Sequence, residues 1–283
     1  MAKPEKTGTS TTTHVRVSGV ASLAVHSLLT GAGTEGTVVR TSGEAVWLRI
    51  GDQVLVVAIG DEARLPNGIH LPGNTAPDVL SQATEDATAL IGRGRLVING
   101  LSVTVNRWWD PRPVLPRCDM TDLAARSDDL PWELPDIDTR RLRESLALRS
   151  AGGILHTSRT LLGKGLGETP EGDDLLIGAM ASTRLLAEAA GQERIVALVA
   201  GLSMPLVKLA EARTNMLSTA LIRLALRGQI AEPAGDLIRA LAGKGDVASS
   251  HLHLIRLGRT SGPALAAGVV LGAQALVTHA QKR

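Results

Sequence analysis

The hydrophobic pattern of this 283-residue chain changes character near its middle. From His14 to about Val105, short runs of β-branched residues alternate with turn signals, of which Asn99-Gly100 is the strongest hairpin signal. From Asp138 onward, almost every segment carries apolar residues at helical spacing. Because one pattern follows the other along the chain, the sequence predicts an α+β fold class.

Four regions follow from this pattern and from the distribution of proline and tryptophan. We predict a disordered tail (residues 1–13), an antiparallel-β-rich N-terminal domain with a few helices (14–106), a Pro/Trp-rich linker (107–137) and an all-helical C-terminal domain (138–283). The predicted helices of the N-terminal domain cover residues 19–31 and 76–92.

The composition excludes several classes of partner. The 30 basic residues are scattered among 28 acidic ones and form no run that could follow a phosphate backbone, so nucleic acid is excluded. The apolar segment Ala264–Ala280 is shorter than the roughly 20 residues that span a membrane, and it predicts a buried helix. The one cysteine, Cys118, allows no internal disulfide, which indicates a reducing, cytoplasmic location.

The stretch GKGLGETPEGDDLLIGAM, residues 163–180, carries the strongest chemical signal. Thr169-Pro170 predicts a helix start, with the threonine as cap and the proline at the first helical position. Asp173 and Asp174 then lie in the first turn, where carboxylates complement the helix dipole. Gly172 also lies in this turn, where glycine lowers the stability of a helix by about 1 kcal/mol relative to alanine. Its presence therefore predicts that another group approaches the backbone closely at this position.

Three interpretations of this stretch stay open from spacing alone. The glycines and the helix N-terminus suit an anion, with Lys164 supplying charge, although the stretch does not fit the P-loop pattern. The acids suit Mg²⁺, for which Asp173 and Glu171 are the candidate ligands. The third interpretation is a structural helix cap without a ligand.

Two later stretches complete a resemblance to a known family. Together with residues 163–180, the segments RTNMLSTALIRLALRG (213–228) and LIRLGRTSGPALAAGVVLG (254–272) resemble, in the same order, the motifs of the AllH family. This chain departs from the family pattern at Glu168 and Glu171, which replace Leu and Ser, and at Asn215 and Arg259, which replace Thr and His. Ala264 stands where an Asp is common.

The resemblance implies a place in carbamoyl metabolism. AllH-type proteins are one of three subunits associated with oxamate carbamoyltransferase, which interconverts oxalurate and phosphate with oxamate and carbamoyl phosphate. We therefore expect an enzyme or enzyme subunit that acts on a small carbamoyl or carboxylate metabolite in purine and ureide nitrogen catabolism. The alternative is a non-catalytic binding or scaffolding subunit of a multi-subunit complex.

The candidate site comprises the glycine stretch and the two later segments. Asp173 and Asp174 are the candidate catalytic residues, and Asp173 and Glu171 the candidate metal ligands. The candidate substrate-binding residues are polar, basic or glycine residues from all three segments: Lys164, Gly165, Gly167, Thr169, Gly172, Arg213, Asn215, Ser218, Arg259, Thr260 and Ser261. The expected ligands are carbamoyl phosphate, oxamate or a similar small molecule.

Overall fold

The computed structural model describes residues 15–60, 63–134 and 136–280. The predicted disordered tail lies outside these residues. The chain divides into two compact units, the first formed mainly by the β-rich segments up to Arg107 and the second mainly by the residues from Trp108 onward.

The strands of the first half form a closed barrel. In chain order they are β1 (Val15–Ser22), β2 (Thr34–Thr41), β3 (Ala45–Ile50), β4 (Gln53–Ile59), β5 (Gly68–Leu71), β6 (Thr88–Gly92), β7 (Arg95–Ile98) and β8 (Leu101–Trp109). Around the barrel their order is β1-β5-β4-β3-β2-β6-β7-β8. The barrel core is aliphatic, and on β3 the alternating residues Val46, Leu48 and Ile50 are buried.

The prediction of an antiparallel-β-rich domain with a few helices is therefore wrong, because the strands close into a barrel. The sequence does signal the tight hairpins: β3 pairs with β4 up to Ile50↔Gln53, and β7 pairs with β8 around Asn99, whose φ is 49°. Closure depends instead on long-range neighbours such as β2 with β6 and β1 with β5. Strand pairs separated by many residues leave no local signal, so an open sheet and a barrel have the same local pattern.

Both helices predicted in this half are largely wrong. In the segment 19–31, β1 continues to Ser22, a 3₁₀ turn follows, and only the five-residue helix α1 (His26–Thr30) is α-helical. In the segment 76–92, a 3₁₀ turn at Pro77–Gln82 is followed by β6, which pairs with β2 and β7. Pairing on both sides overrides the helical propensity of this apolar segment.

The second half is helical, as predicted. Its helices are α2 (Met120–Ser127), α3 (Arg140–Ala147), α4 (Ala151–Leu161), α5 (Glu171–Ala189), α6 (Glu193–Glu211), α7 (Met216–Ala225), α8 (Glu232–Leu241), α9 (Val247–Ile255) and α10 (Ser261–Ala280). Helix α2 lies within the segment predicted as a linker. Its N-terminus is capped by Asp119, whose carboxylate accepts hydrogen bonds from the N–H groups of Thr121 and Asp122.

Helices α5 and α10 form the centre of the helical core. A Cβ on Gly268 of α10 would overlap the carbonyl of Leu175 on α5, and a Cβ on Gly178 of α5 would overlap the carbonyl of Leu265 on α10. The two backbones therefore touch, which only glycine permits. The stretch Ser261–Thr278 is long and apolar enough to cross a membrane, but 78% of it is buried inside the protein, as expected of a core helix.

Candidate functional site

The glycine loop, residues 163–169, joins α4 to α5 and is held in place by Asp173. This carboxylate is fully buried in the first turn of α5. Its Oδ1 accepts a hydrogen bond from the N–H of Gly163 (2.9 Å), and its Oδ2 accepts one from the hydroxyl of Thr214. Asp173 thus ties the start of the loop and the residues before α7 to the start of α5.

Asn215 makes a second connection between the loop and α7. Its side-chain oxygen caps the helix by accepting a hydrogen bond from the N–H of Ser218 (2.9 Å). Its Nδ2 donates to the carbonyl oxygen of Glu168 in the loop (2.8 Å). One amide side chain therefore fixes the N-terminus of α7 beside the glycine loop.

Asp174 connects the loop to α10. Its Oδ2 accepts a hydrogen bond from the hydroxyl of Thr169 (2.9 Å), and the same hydroxyl lies 3.1 Å from the hydroxyl of Ser261, the first residue of α10. The N-termini of α5, α7 and α10 consequently meet around the loop. Because each helix N-terminus carries a partial positive charge, this arrangement favours negative charge.

The environment of Asp174 changes its acidity. Burial raises the pKa of this carboxyl to about 8, although hydrogen bonds from Ser261 and Thr169 act in the opposite direction. The negative charges of Asp173 and Glu171 also act to raise the pKa, and the value of about 8 includes their effect. Asp174 is therefore mostly protonated near pH 7, and it adds little negative charge to the site.

The outer surface of the site carries three exposed basic side chains and exposes main-chain donors. Lys164, Arg213 and Arg259 are exposed, and none forms an ion pair with a residue that the structure describes. Alternate glycines of the loop have positive φ: 75° at Gly163, 108° at Gly165 and 103° at Gly167. Across the described chain, the N–H groups of residues 165–167 find no acceptor, so they remain available to a ligand.

The acids give little support to a metal site. Asp173 already uses both carboxylate oxygens, and Asp174 is 5% exposed. Among the described residues, no group of three or more His, Cys, Asp or Glu side chains could hold a metal ion. The Glu171 carboxylate lies against the loop: its Oε2 is 2.9 Å from the position that a Cβ on Gly165 would take.

Several predicted roles change at this site. Thr169 makes no cap hydrogen bond to α5, whose N-cap position is Pro170; its hydroxyl contacts Asp174 instead. What approaches Gly172 is the protein itself, because a Cβ there would overlap the carbonyl of Leu161. Ser218 is fully buried rather than at the surface, and its hydroxyl has no hydrogen-bond partner among the described residues.

The structure brings together all three segments that were predicted to form the site, with Thr260 beside Gly167. Two residues that contact Asp173 are not among the candidate site residues of the sequence analysis: Gly163, whose N–H donates to it, and Thr214, whose hydroxyl donates to it. The AllH-like pattern could have indicated Thr214, since it occupies the first of two threonines in the family segment. No local signal shows that a threonine 41 residues away will bind Asp173.

Comparison with known proteins finds one family, and the match covers the segments of this site. Residues 161–273 match the family model described as oxamate carbamoyltransferase subunit AllH, which confirms the predicted family resemblance over that segment. The matched segment contains the glycine loop, α5, α7 and most of α10. No curated protein and no solved structure matches the chain.

Proposed function

We propose that this chain is a cytoplasmic carbamoyltransferase subunit that binds a small carboxylate or phosphate metabolite at the glycine loop. The observation that carries the proposal is the meeting of three helix N-termini around free loop N–H groups, with Lys164, Arg213 and Arg259 exposed nearby. The match to the AllH family model supports carbamoyl chemistry as the context. Oxamate and carbamoyl phosphate are the specific ligands that we propose.

The proposed contribution to the reaction is binding and orientation. Free N–H groups and guanidinium groups stabilise the charge of a carboxylate or phosphate, and a fixed loop holds the bound group in one orientation. Asp173 and Asp174 were predicted as catalytic residues, but their contacts favour a positioning role, because each holds the loop to a neighbouring helix. In this proposal companion subunits supply the remaining reacting groups.

Calorimetric titration of the purified chain tests the proposal. Oxamate, carbamoyl phosphate, inorganic phosphate and Mg²⁺ are titrated separately. We expect saturable binding of at least one of the three anions, and at least about tenfold weaker binding in Lys164→Ala and Arg213→Ala, since a hydrogen bond to a charged group contributes about 1.5–3 kcal/mol. Lys244→Ala, which removes an exposed lysine between α8 and α9, is the matched control and should bind normally.

Two results would contradict this proposal. The first is that none of the three anions binds. The second is that an anion binds with equal affinity to the wild-type chain, to Lys164→Ala and to Arg213→Ala. Binding of Mg²⁺ alone would favour the metal interpretation of the glycine stretch.

A scaffolding role is the second candidate, and the tip of the loop favours it. Leu166 is 74% exposed and Met216, the first residue of α7, is 41% exposed. Exposed apolar side chains of this size suit contact with another protein. If the loop serves only this purpose, Leu166→Ser should release a companion subunit, whereas Lys164→Ala should leave the assembled complex and its activity unchanged.

A further inference from the structure

A groove between α4 and α6 lies outside the residues assigned to the anion site. It encloses about 590 Å³ and is lined by Gly152, Leu155, His156, Arg159, Pro205 and Leu209. On α4 the lining residues fall within an arc of about 100°, so they form one face of that helix. The groove thus lies between two helices that contact each other.

The floor of the groove is apolar, and its surroundings are basic. Leu155 and Leu209 are half-buried against the helical core, while Met204, one residue before Pro205, is 69% exposed. No lining residue is acidic. Arg159 and the nearby exposed Lys208 form no ion pair with any residue in the described ranges.

Two features leave room and a hydrogen-bonding group for an occupant. A Cβ on Gly152 would meet nothing within 4 Å, so the α4 wall is open at this point. On α6, Pro205 has no N–H, so the carbonyl of Gly201, one turn earlier, receives no helical hydrogen bond from that position. An apolar channel with a basic rim suits an amphipathic helix whose polar face is acidic.

We infer that the α4–α6 groove is the docking site for an acidic amphipathic helix of a companion carbamoyltransferase subunit. The inference rests on the proposed role as a subunit. Its partner chemistry follows from the unpaired basic residues, and the exposed Met204 immediately precedes the lining residue Pro205. The guanidinium of Arg213 also donates to the carbonyl of Arg159 (3.3 Å), so the groove borders the proposed anion site.

The test uses the full chain co-expressed with the companion subunits of its carbamoyltransferase. Gly152→Trp fills the groove, and Gly152→Ala is its matched control, since a small side chain fits the open space. Lys208→Glu reverses a rim charge, and Lys244→Glu is its control. Mass measurement by light scattering after size-exclusion chromatography reports assembly, and calorimetry with the isolated chain reports anion binding.

We expect the wild-type chain to assemble with a companion subunit, with affinity that falls as salt rises. Gly152→Trp and Lys208→Glu should weaken assembly at least tenfold, while both controls assemble normally. All four variants should bind the anion as the wild type does, which separates the groove from the proposed function of the loop.

Three outcomes would overturn the inference. One is normal assembly of Gly152→Trp and Lys208→Glu. Another is self-association of the chain that these two variants abolish, because the occupant would then be a second copy. The third is the absence of any stable complex between the wild-type chain and its companion subunits.

Discussion

Glycine meets different requirements in two regions of the helical unit, the exposed glycine loop and the buried interface between α5 and α10. At Gly178 and Gly268 the requirement is space, because a Cβ would overlap the backbone of the facing helix. At Gly167 the requirement is conformation: its φ is 103°, yet a Cβ would find its nearest neighbour at an ordinary 3.6 Å. The same residue type thus marks tight packing in one region and an unusual backbone in the other.

The comparison also changes the interpretation of Gly172. This residue belongs to the glycine motif in sequence but to the packed region in structure, because the carbonyl of Leu161 occupies the space beside it. A glycine in a motif therefore does not by itself indicate contact with a ligand. The distinction can be tested by substitutions that affect packing, the connection between the two regions, or the loop alone.

The largest effect is expected at the helix interface. Gly268→Val places side-chain atoms where the α5 backbone lies, so the helices must separate. We expect a loss of at least about 3 kcal/mol in the free energy of unfolding, measured by urea denaturation. Gly201→Val, on α6 where an added Cβ meets nothing within 4 Å, is the control. Equal stability of Gly268→Val and wild type would show that the helices can move apart at little cost.

A somewhat smaller effect is expected where Asp173 connects the two regions. Asp173→Ala leaves the N–H of Gly163 and the hydroxyl of Thr214 without their acceptor. We expect a loss of about 2–3 kcal/mol in unfolding free energy, together with loss of anion binding. Asp122→Ala, an exposed aspartate on α2, should have little effect. Retained anion binding in Asp173→Ala would refute its positioning role.

Asp174 should make stability depend on pH. Its pKa of about 8 in the folded protein lies above the value of about 3.9 expected in the unfolded chain, so the folded state holds the extra proton between these values. The contribution of Asp174 to stability should fall as pH rises through this window, by up to about 1.4 kcal/mol per pH unit. Urea denaturation between pH 5 and pH 9 should show that the free energy of unfolding declines less steeply with pH in Asp174→Asn than in the wild type. Identical slopes would contradict the raised pKa.

Within the loop, Gly167→Ala should separate stability from binding. Its positive φ makes the substitution cost about 1 kcal/mol in unfolding free energy, even though the Cβ has room. The affinity for the anion should fall more than stability does, because the loop N–H groups lose their orientation. Titration calorimetry and urea denaturation of the same variant provide the comparison. Unchanged affinity would place the ligand away from Gly167.

The smallest expected effect is a gain at Glu171. This carboxylate lies beside Gly165, so its negative charge would oppose an anion bound at the proposed site. Glu171→Ser restores the residue of the family pattern and should strengthen anion binding about threefold, the effect of removing one charge some 7 Å away in a water-like medium. Glu193→Ser, at the start of α6, is the control. Weaker binding in Glu171→Ser would indicate that Glu171 is itself a ligand contact.

The sequence by itself determined the helical second half, and it indicated three segments that the structure brings together. Helical spacing is a local property, so α5, α7 and α10 could be predicted from their own residues. The AllH-like motifs likewise placed residues 163–174, 213–218 and 258–262 in one site, and the hydrogen bonds of Asp173, Asn215 and Thr169 join these segments.

Only the tertiary structure decided how the strands close and which atoms the motif residues contact. Closure of the barrel depends on strand pairs such as β2 with β6. The protonation state of Asp174 depends on burial and on a hydrogen bond with Ser261, which is far along the chain. Gly172 packs against Leu161, and Ser218 is buried. Each of these outcomes results from contacts between residues distant in sequence, whose free energy is gained only when the whole unit folds.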